Sequence, residues 1–223
     1  MKLVEYPDAG TMMSDLAQKL GDELKAALQR QERVSLAVPG GTTPGPIFDV
    51  LCDVDLPWDR VDIMLTDERW VPESSERSNT RLLRARLLQK KAAAATLVPL
   101  YADTETPEDA LGALGARVAE ALPLSVVVLG MGADMHTASI FPGADKLTEA
   151  LTGDDMLYPM RAPGAPEPRI TLSAKALKTA VSLHVLIKGP EKRTALEKAQ
   201  TLSPAEAPVA AILDQATVHW TEA

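Results

Sequence analysis

Apolar residues along this chain alternate between two spacings. Leu16, Leu20, Leu24 and Leu28 recur every four residues, which predicts a helix over residues 12–30. Val34–Val38 is a short apolar run that stops at Pro39-Gly40-Gly41, the pattern of a buried strand and a turn. Thr43-Pro44 then has the form of a helix cap followed by proline at the first helical position. Val61–Leu65 is a second apolar run, ending in the charged Thr66-Asp67-Glu68-Arg69. Ser78 is placed to cap a helix over residues 79–91, with Leu82, Leu83 and Leu87 for its buried side. Thr106-Pro107-Glu108-Asp109 is a strong helix start: a cap, a proline, then two acids facing the helix dipole. That helix ends near Leu122-Pro123, and residues 124–129 form the most hydrophobic candidate strand. Arg169–Leu172 and residues 181–187 are further strands, with a helix over 174–180 between them. Gly189-Pro190 opens the last long helix, and residues 209–213 and 217–220 suggest two short closing strands.

Strands that are nearly continuously apolar, alternating with helices, predict an α/β fold. The expected form is three-layered and Rossmann-like, with a mostly parallel sheet covered by helices on both faces. At about 150 residues per domain, a 223-residue chain is one large domain or two small ones. Residues 153–168, with Pro159, Pro163, Pro166 and Pro168, are too short a linker to divide it. A single domain over 1–223 with an irregular loop at 153–168 is expected.

The formal charge is −8, with a sequence pI near 5.0. A nucleic-acid surface is not expected, because phosphate backbones demand clustered Lys and Arg. A local basic pocket for a small anion stays open. Cys52 is the single cysteine, so no internal disulfide forms, as suits a cytoplasmic protein. Acidic residues punctuate the first thirty positions, and no apolar run of about 18 residues occurs. Neither a signal peptide nor a membrane span is expected.

Four segments fall where α/β sheets bind ligands, at the carboxyl ends of strands. The first is Gly40-Gly41-Thr42-Thr43, whose amides and hydroxyls suit an anion at a helix start. It lacks the lysine of a Walker loop and is not G-x-G-x-x-G. A plain strand-to-helix turn is the alternative. The second is Asp67-Glu68-Arg69: Arg69 offers a planar fork for phosphate or carboxylate, and Asp67 is placed to orient it or to act on a water. The third is the glycine-rich loop Gly130-Met131-Gly132-Ala133-Asp134-Met135-His136. Here His136 suits general base work, with Asp134 two residues away to fix its tautomer. The fourth is Lys192, a cation in the first turn of a helix, which an anionic ligand would explain; Arg169 follows the same logic. His184, in mid-strand, and His219, near the end of the sequence, read as structural. No metal site is expected, since Asp134 and His136 lack a third ligand, and no G-x-S-x-G elbow occurs.

Together these segments resemble the 6-phosphogluconolactonases, within the wider group that includes glucosamine-6-phosphate deaminases and ribose-5-phosphate isomerases. The matching residues are Gly40-Gly41-Thr42-Thr43-Pro44, Asp67-Glu68-Arg69-Trp70-Val71-Pro72 and Ser78-Asn79. They continue with residues 130–143, Arg169-Ile170-Thr171-Leu172 and Gly189-Pro190-Glu191-Lys192, in the family's order. The D-x-H-T-A-S-I-F-P stretch is the most specific. The resemblance implies a fold of the phosphosugar isomerase/CoA transferase-like type. It also implies hydrolysis of 6-phospho-D-glucono-1,5-lactone in the oxidative pentose phosphate pathway, without cofactor or metal. The roles it suggests are His136 as base, Asp134 as its orienter, and Arg69, held by Asp67, for substrate or oxyanion. Gly40, Gly41, Thr42, Thr43, Asn79, Arg169 and Lys192 would bind substrate. The small phosphosugar lactone is the expected partner; monomer and homodimer both stay open.

One position departs from the family, which usually has glycine where Met135 stands. A left-handed backbone there would strain a methionine. Two rivals follow. A deaminase would carry an acid five positions after the motif histidine, where this chain has Phe141. A non-catalytic phosphosugar sensor would need a DNA-binding segment, for which one helix ahead of the first predicted strand leaves little room.

Overall fold

The computed structural model describes residues 1–222. The chain opens with strand β1 (Lys2–Tyr6), whose five residues carry too little pattern to announce a strand. Helix α1 (Ala9–Leu28) starts earlier than its leucine spacing suggests, because Asp8 caps it by accepting from the Thr11 amide at 2.7 Å. β2 (Val34–Val38) is buried throughout. Helix α2 (Gly45–Leu51) begins one residue later than the Thr43-Pro44 pattern implies: Pro44 holds the cap position, and no side chain caps the helix. β3 (Val61–Leu65) follows, then β4 (Asp67–Arg69), α3 (Asn79–Arg86) and β5 (Thr96–Val98). α3 is shorter than the predicted 79–91, because a 3-10 turn over Lys90–Ala94 replaces its end. Next come α4 (Pro107–Glu120), β6 (Val126–Gly130), α5 (Leu147–Thr152), β7 (Leu157–Met160), β8 (Arg169–Leu172) and α6 (Ala174–Leu177). The chain closes with β9 (Ser182–Lys188), α7 (Pro190–Ala199), α8 (Ala210–Leu213) and β10 (Ala216–Thr221).

Seven strands form one parallel sheet in the order β1-β10-β9-β6-β2-β3-β5. From β2 the chain steps outward through β3 to β5. It then returns through α4 to β6, on the other side of β2. The order reverses between β2 and β6, so a crevice opens beyond their carboxyl ends. The Gly40 loop leaves β2 there, and the His136 loop leaves β6.

A second sheet was not foreseen. β4, β8 and β7 pair antiparallel in the order β4-β8-β7. Asp67-Glu68-Arg69 is thus a separate strand rather than the frayed end of β3. Thr66 stitches the two sheets: its amide donates to Val38 at 2.9 Å, and its carbonyl accepts from Leu172 at 2.9 Å. The proline-rich stretch is not wholly irregular, since β7 lies within it. Pro159 is tolerated because β7 is an edge strand. Residues 209–213 are not a strand. They turn into α8, which with its cap residue Val209 buries Val209, Ile212 and Leu213 on one side. No helix among the described residues is long and apolar enough to cross a membrane.

Candidate active site

A cleft of about 220 Å³ lies over the carboxyl ends of β2 and β6. Of the predicted residues, Gly40, Gly41, Thr43, Asp67, Arg69, Asn79, His136, Arg169 and Lys192 line it. Thr42 does not; its carbonyl accepts from the Gly45 amide and closes the turn into α2. Asp134 stands behind His136 rather than in the wall.

The floor depends on two glycines. A Cβ on Gly40 would stand 2.1 Å from the Asn79 side chain, so only glycine lets the loop pack on α3. A Cβ on Gly132 would stand 2.2 Å from His136 Nδ1 and 2.3 Å from Asp134 Oδ1. Gly132 therefore makes room for the histidine–carboxylate pair. The loop is tied tightly: Gly132 donates to the His136 carbonyl, and Met135 donates to Gly132, both at 3.0 Å. Met135 adopts φ +66° and Ala138 φ +49°. The position where the family usually has glycine is thus left-handed here, with a buried methionine.

His136 Nδ1 lies 2.6 Å from Asp134 Oδ1. A carboxylate accepts, so the proton of the neutral ring sits on Nδ1 and Nε2 carries the lone pair. The ring packs on Phe141, centroids 4.4 Å apart.

The cations come from β4, β8 and α7. Arg69 and Arg169 are register partners across the antiparallel pair. The Nε of each is buried and finds no acceptor among the described residues, an arrangement that costs stability unless a ligand completes it. Burial opposes the charge on Arg169; Asp67 supports it and Arg69 works against it, and the net shift is downward. Its guanidinium carbon lies 5.8 Å from the centre of the Phe141 ring. Lys192 is the third residue of α7, behind Gly189 at φ +92°, and makes no ion pair among the described residues.

Asp67 does not hold Arg69. Residues two apart on a strand share a face but stand roughly 6–7 Å apart. Asp67 instead accepts from the buried Ser139 hydroxyl at 2.6 Å and from Thr66 at 3.2 Å. Arg69 Nη1 reaches away to the carbonyl of Arg77 at 2.7 Å. The acid thus anchors the histidine loop to β4.

Glu68 had no assigned role and proves central to the architecture. Its carboxylate is fully buried and accepts from the amides of Arg69, Asn79 and Thr80 at 2.7–2.9 Å, and from the hydroxyls of Thr80 and Ser78. It therefore joins β4 to the start of α3, where helix amides favour an anion. Strand alternation was the available signal: if Asp67 and Arg69 face the cleft, Glu68 faces inward and needs donors. No cluster of three His, Cys, Asp or Glu suited to a metal occurs among the described residues.

Comparison with known proteins identifies the family. Residues 7–220 match the family model described as glucosamine-6-phosphate isomerases/6-phosphogluconolactonase. The chain belongs to that family. It is 42% identical to a 6-phosphogluconolactonase of Mesorhizobium japonicum, over 95% of this chain and 90% of the relative. It is 41% identical to one of Rhizobium meliloti, over 99% and 97%. The crystal structure of a 6-phosphogluconolactonase from Shewanella baltica superposes with a TM-score of 0.96 at 31% identity, covering 99% of this chain and 97% of that one.

Proposed function

We propose that this chain hydrolyses 6-phospho-D-glucono-1,5-lactone to 6-phosphogluconate, the second step of the oxidative pentose phosphate pathway. One arrangement carries the reading: a histidine with a carboxylate-held Nδ1 shares a cleft with two arginines whose buried Nε groups lack acceptors among the described residues. A phosphorylated lactone supplies what each lacks. Its phosphate accepts from the Gly40–Thr43 loop, Arg169 and Lys192, and Asn79 shapes that wall. Its carbonyl meets Arg69.

The chemistry then follows from the ring. His136 Nε2 takes a proton from water as the oxygen attacks the lactone carbonyl carbon. Negative charge gathers on the former carbonyl oxygen, where Arg69 stabilises it. Collapse breaks the bond to the ring oxygen, and the proton held by His136 passes to that leaving oxygen. Asp134 keeps Nδ1 protonated and steadies the transient imidazolium. Asp67 acts at one remove, fixing Ser139 and with it the loop.

The same observations disfavour deamination. Where a deaminase would carry its relay acid, Phe141 lies against the His136 ring. A cytoplasmic setting is part of the proposal; the single cysteine, buried Cys52, suits it.

The test is proton release from freshly generated lactone, with the spontaneous rate subtracted. His136→Ala lowers kcat/KM by about 10²–10⁴-fold, the usual contribution of a general base. Wild-type-like turnover in that variant would remove His136 from the mechanism.

A further inference from the structure

Arg69 and Arg169 lie side by side as register partners, and like charges at that spacing repel. Something must hold Arg69 in place before substrate arrives. Its guanidinium makes one hydrogen bond among the described residues, to the carbonyl of Arg77. That carbonyl belongs to the loop between β4 and α3, and the side chain of the same residue pins it. Arg77 forms a two-pronged ion pair with Glu167: Nε donates to Oε1, and Nη2 donates to Oε2 at 2.9 Å. The hydrogen bond and charge of Arg77 hold the Glu167 carboxyl below its ordinary value. Glu167 lies two residues before Arg169, and the intervening Pro168 accepts from the Trp70 amide at 2.8 Å. The contacts close a ring: Arg69, the Arg77 carbonyl, the Arg77 side chain, Glu167, Arg169, and back across the strand pair.

We infer that Arg77 and Glu167 are positioning residues for the anion site: their ion pair fixes the carbonyl that aims Arg69 and ties it to the segment that delivers Arg169. This rests on the lactone reading above for the identity of the anion, but not for the ring itself. Neither residue lines the cleft, so neither is a catalytic residue.

Glu167→Gln separates this role from simple electrostatics by sign. Removing a negative charge beside an anion site strengthens anion binding through Coulomb attraction. Loosening the ring weakens it. The readouts are kcat/KM for the lactone, calorimetric Kd for 6-phosphogluconate, and thermal midpoint. Glu167→Gln and Arg77→Gln each lower kcat/KM and raise Kd by about 2–5-fold, the scale of a partly exposed pair. The exchange R77E/E167R recovers wild-type values within about 2-fold. An unchanged or tighter Kd in Glu167→Gln overturns the inference. Weakening that the exchange does not recover overturns it too, because the loss then lies outside this pair. A shift in thermal midpoint with unmoved Kd assigns the pair to stability alone and also rejects it. If the wild type hydrolyses no lactone, the proposed function falls, while the calorimetric comparison still decides the ring.

Discussion

Two histidines in this chain are bonded to carboxylates, and they sit in opposite circumstances. His136 Nδ1 meets Asp134 at 2.6 Å, with 30% of the histidine side chain exposed. His184 Nε2 meets Glu23 at 2.8 Å, with 2% exposed. The difference lies in the second nitrogen. His184 Nδ1 is bonded to His219 Nε2 at 3.0 Å, and His219 Nδ1 to the Tyr6 hydroxyl at 2.9 Å. With both rings neutral, every donor has one acceptor: Tyr6 to His219, His219 to His184, His184 to Glu23. The chain is closed, and no lone pair remains to attack or accept. At His136 the carboxylate consumes one nitrogen and leaves the other to the cleft. A histidine–carboxylate pair becomes a base through what it leaves unsatisfied.

Exchanging the two losses gives the largest separation. His136→Ala takes kcat/KM down by about 10²–10⁴-fold and leaves the thermal midpoint within about 2 °C, because the ring is partly exposed and its loop is held by backbone bonds. His184→Ala does the reverse. It orphans a buried His219 nitrogen and leaves the half-buried Glu23 with Lys19 as its remaining partner, costing about 1–3 kcal/mol, or about 2–4 °C for each kcal/mol in a chain of this size. Its kcat/KM, measured well below the midpoint, stays within about 2-fold. A tenfold kinetic loss in His184→Ala would break the comparison and tie the sheet network to the cleft.

This contrast was half legible in the sequence. His136 stands in a glycine-rich loop after an apolar strand, and His184 stands between apolar neighbours, so local pattern separates loop from core. The partners of His184 come from residues 23 and 219, joined only when α1 packs on β9 and β10, and no local spacing announces them. The same limit applies in the cleft. Gly40, Asp134 and Lys192 follow from turn and helix-start chemistry. The adjacency of Arg69 and Arg169 needs an antiparallel pairing across 100 positions. Nearness in sequence also misleads: Asp67 stands two residues from Arg69, yet it serves Ser139, 72 residues away. Residues 209–213 failed for another reason. Five apolar positions suit a strand or a helical turn equally, and length could not arbitrate.

A second way to sharpen the comparison is acid. Burial lowers the His219 pKa from 6.5 to about 4, with the charges of His184 and Lys19 pushing the same way. Between those values the unfolded chain binds a proton that folded His219 refuses. Stability is therefore complete above about pH 6.5, declines as pH falls, and levels off near pH 4. The loss from this residue is about 3 kcal/mol over that window. Denaturant melts from pH 7 to 4 measure it, and His219→Gln flattens the decline. A decline of the same slope in that variant would place the acid sensitivity elsewhere.

The smallest expected effect concerns what holds each histidine. His184 and His219 lie on regular strands and need no special backbone. His136 sits beside Met135 in the left-handed region, which costs a side-chain-bearing residue about 1–2 kcal/mol. The chain keeps this conformation because backbone bonds bracket it: the Met135 amide donates to Gly132 at 3.0 Å, and its carbonyl accepts from Val209 at 3.1 Å. The buried side chain returns about 1.5–3 kcal/mol through its contacts. Met135→Gly removes strain and burial together. The net change in stability is therefore a loss of about 1–2 kcal/mol, once the extra freedom of glycine in the unfolded chain is included. Because the bracketing bonds use backbone atoms only, the loop keeps its path, and kcat stays within about 3-fold of wild type. A tenfold rise in kcat would instead mean that the methionine holds His136 away from its working position, and that the strain is stored against catalysis rather than merely tolerated.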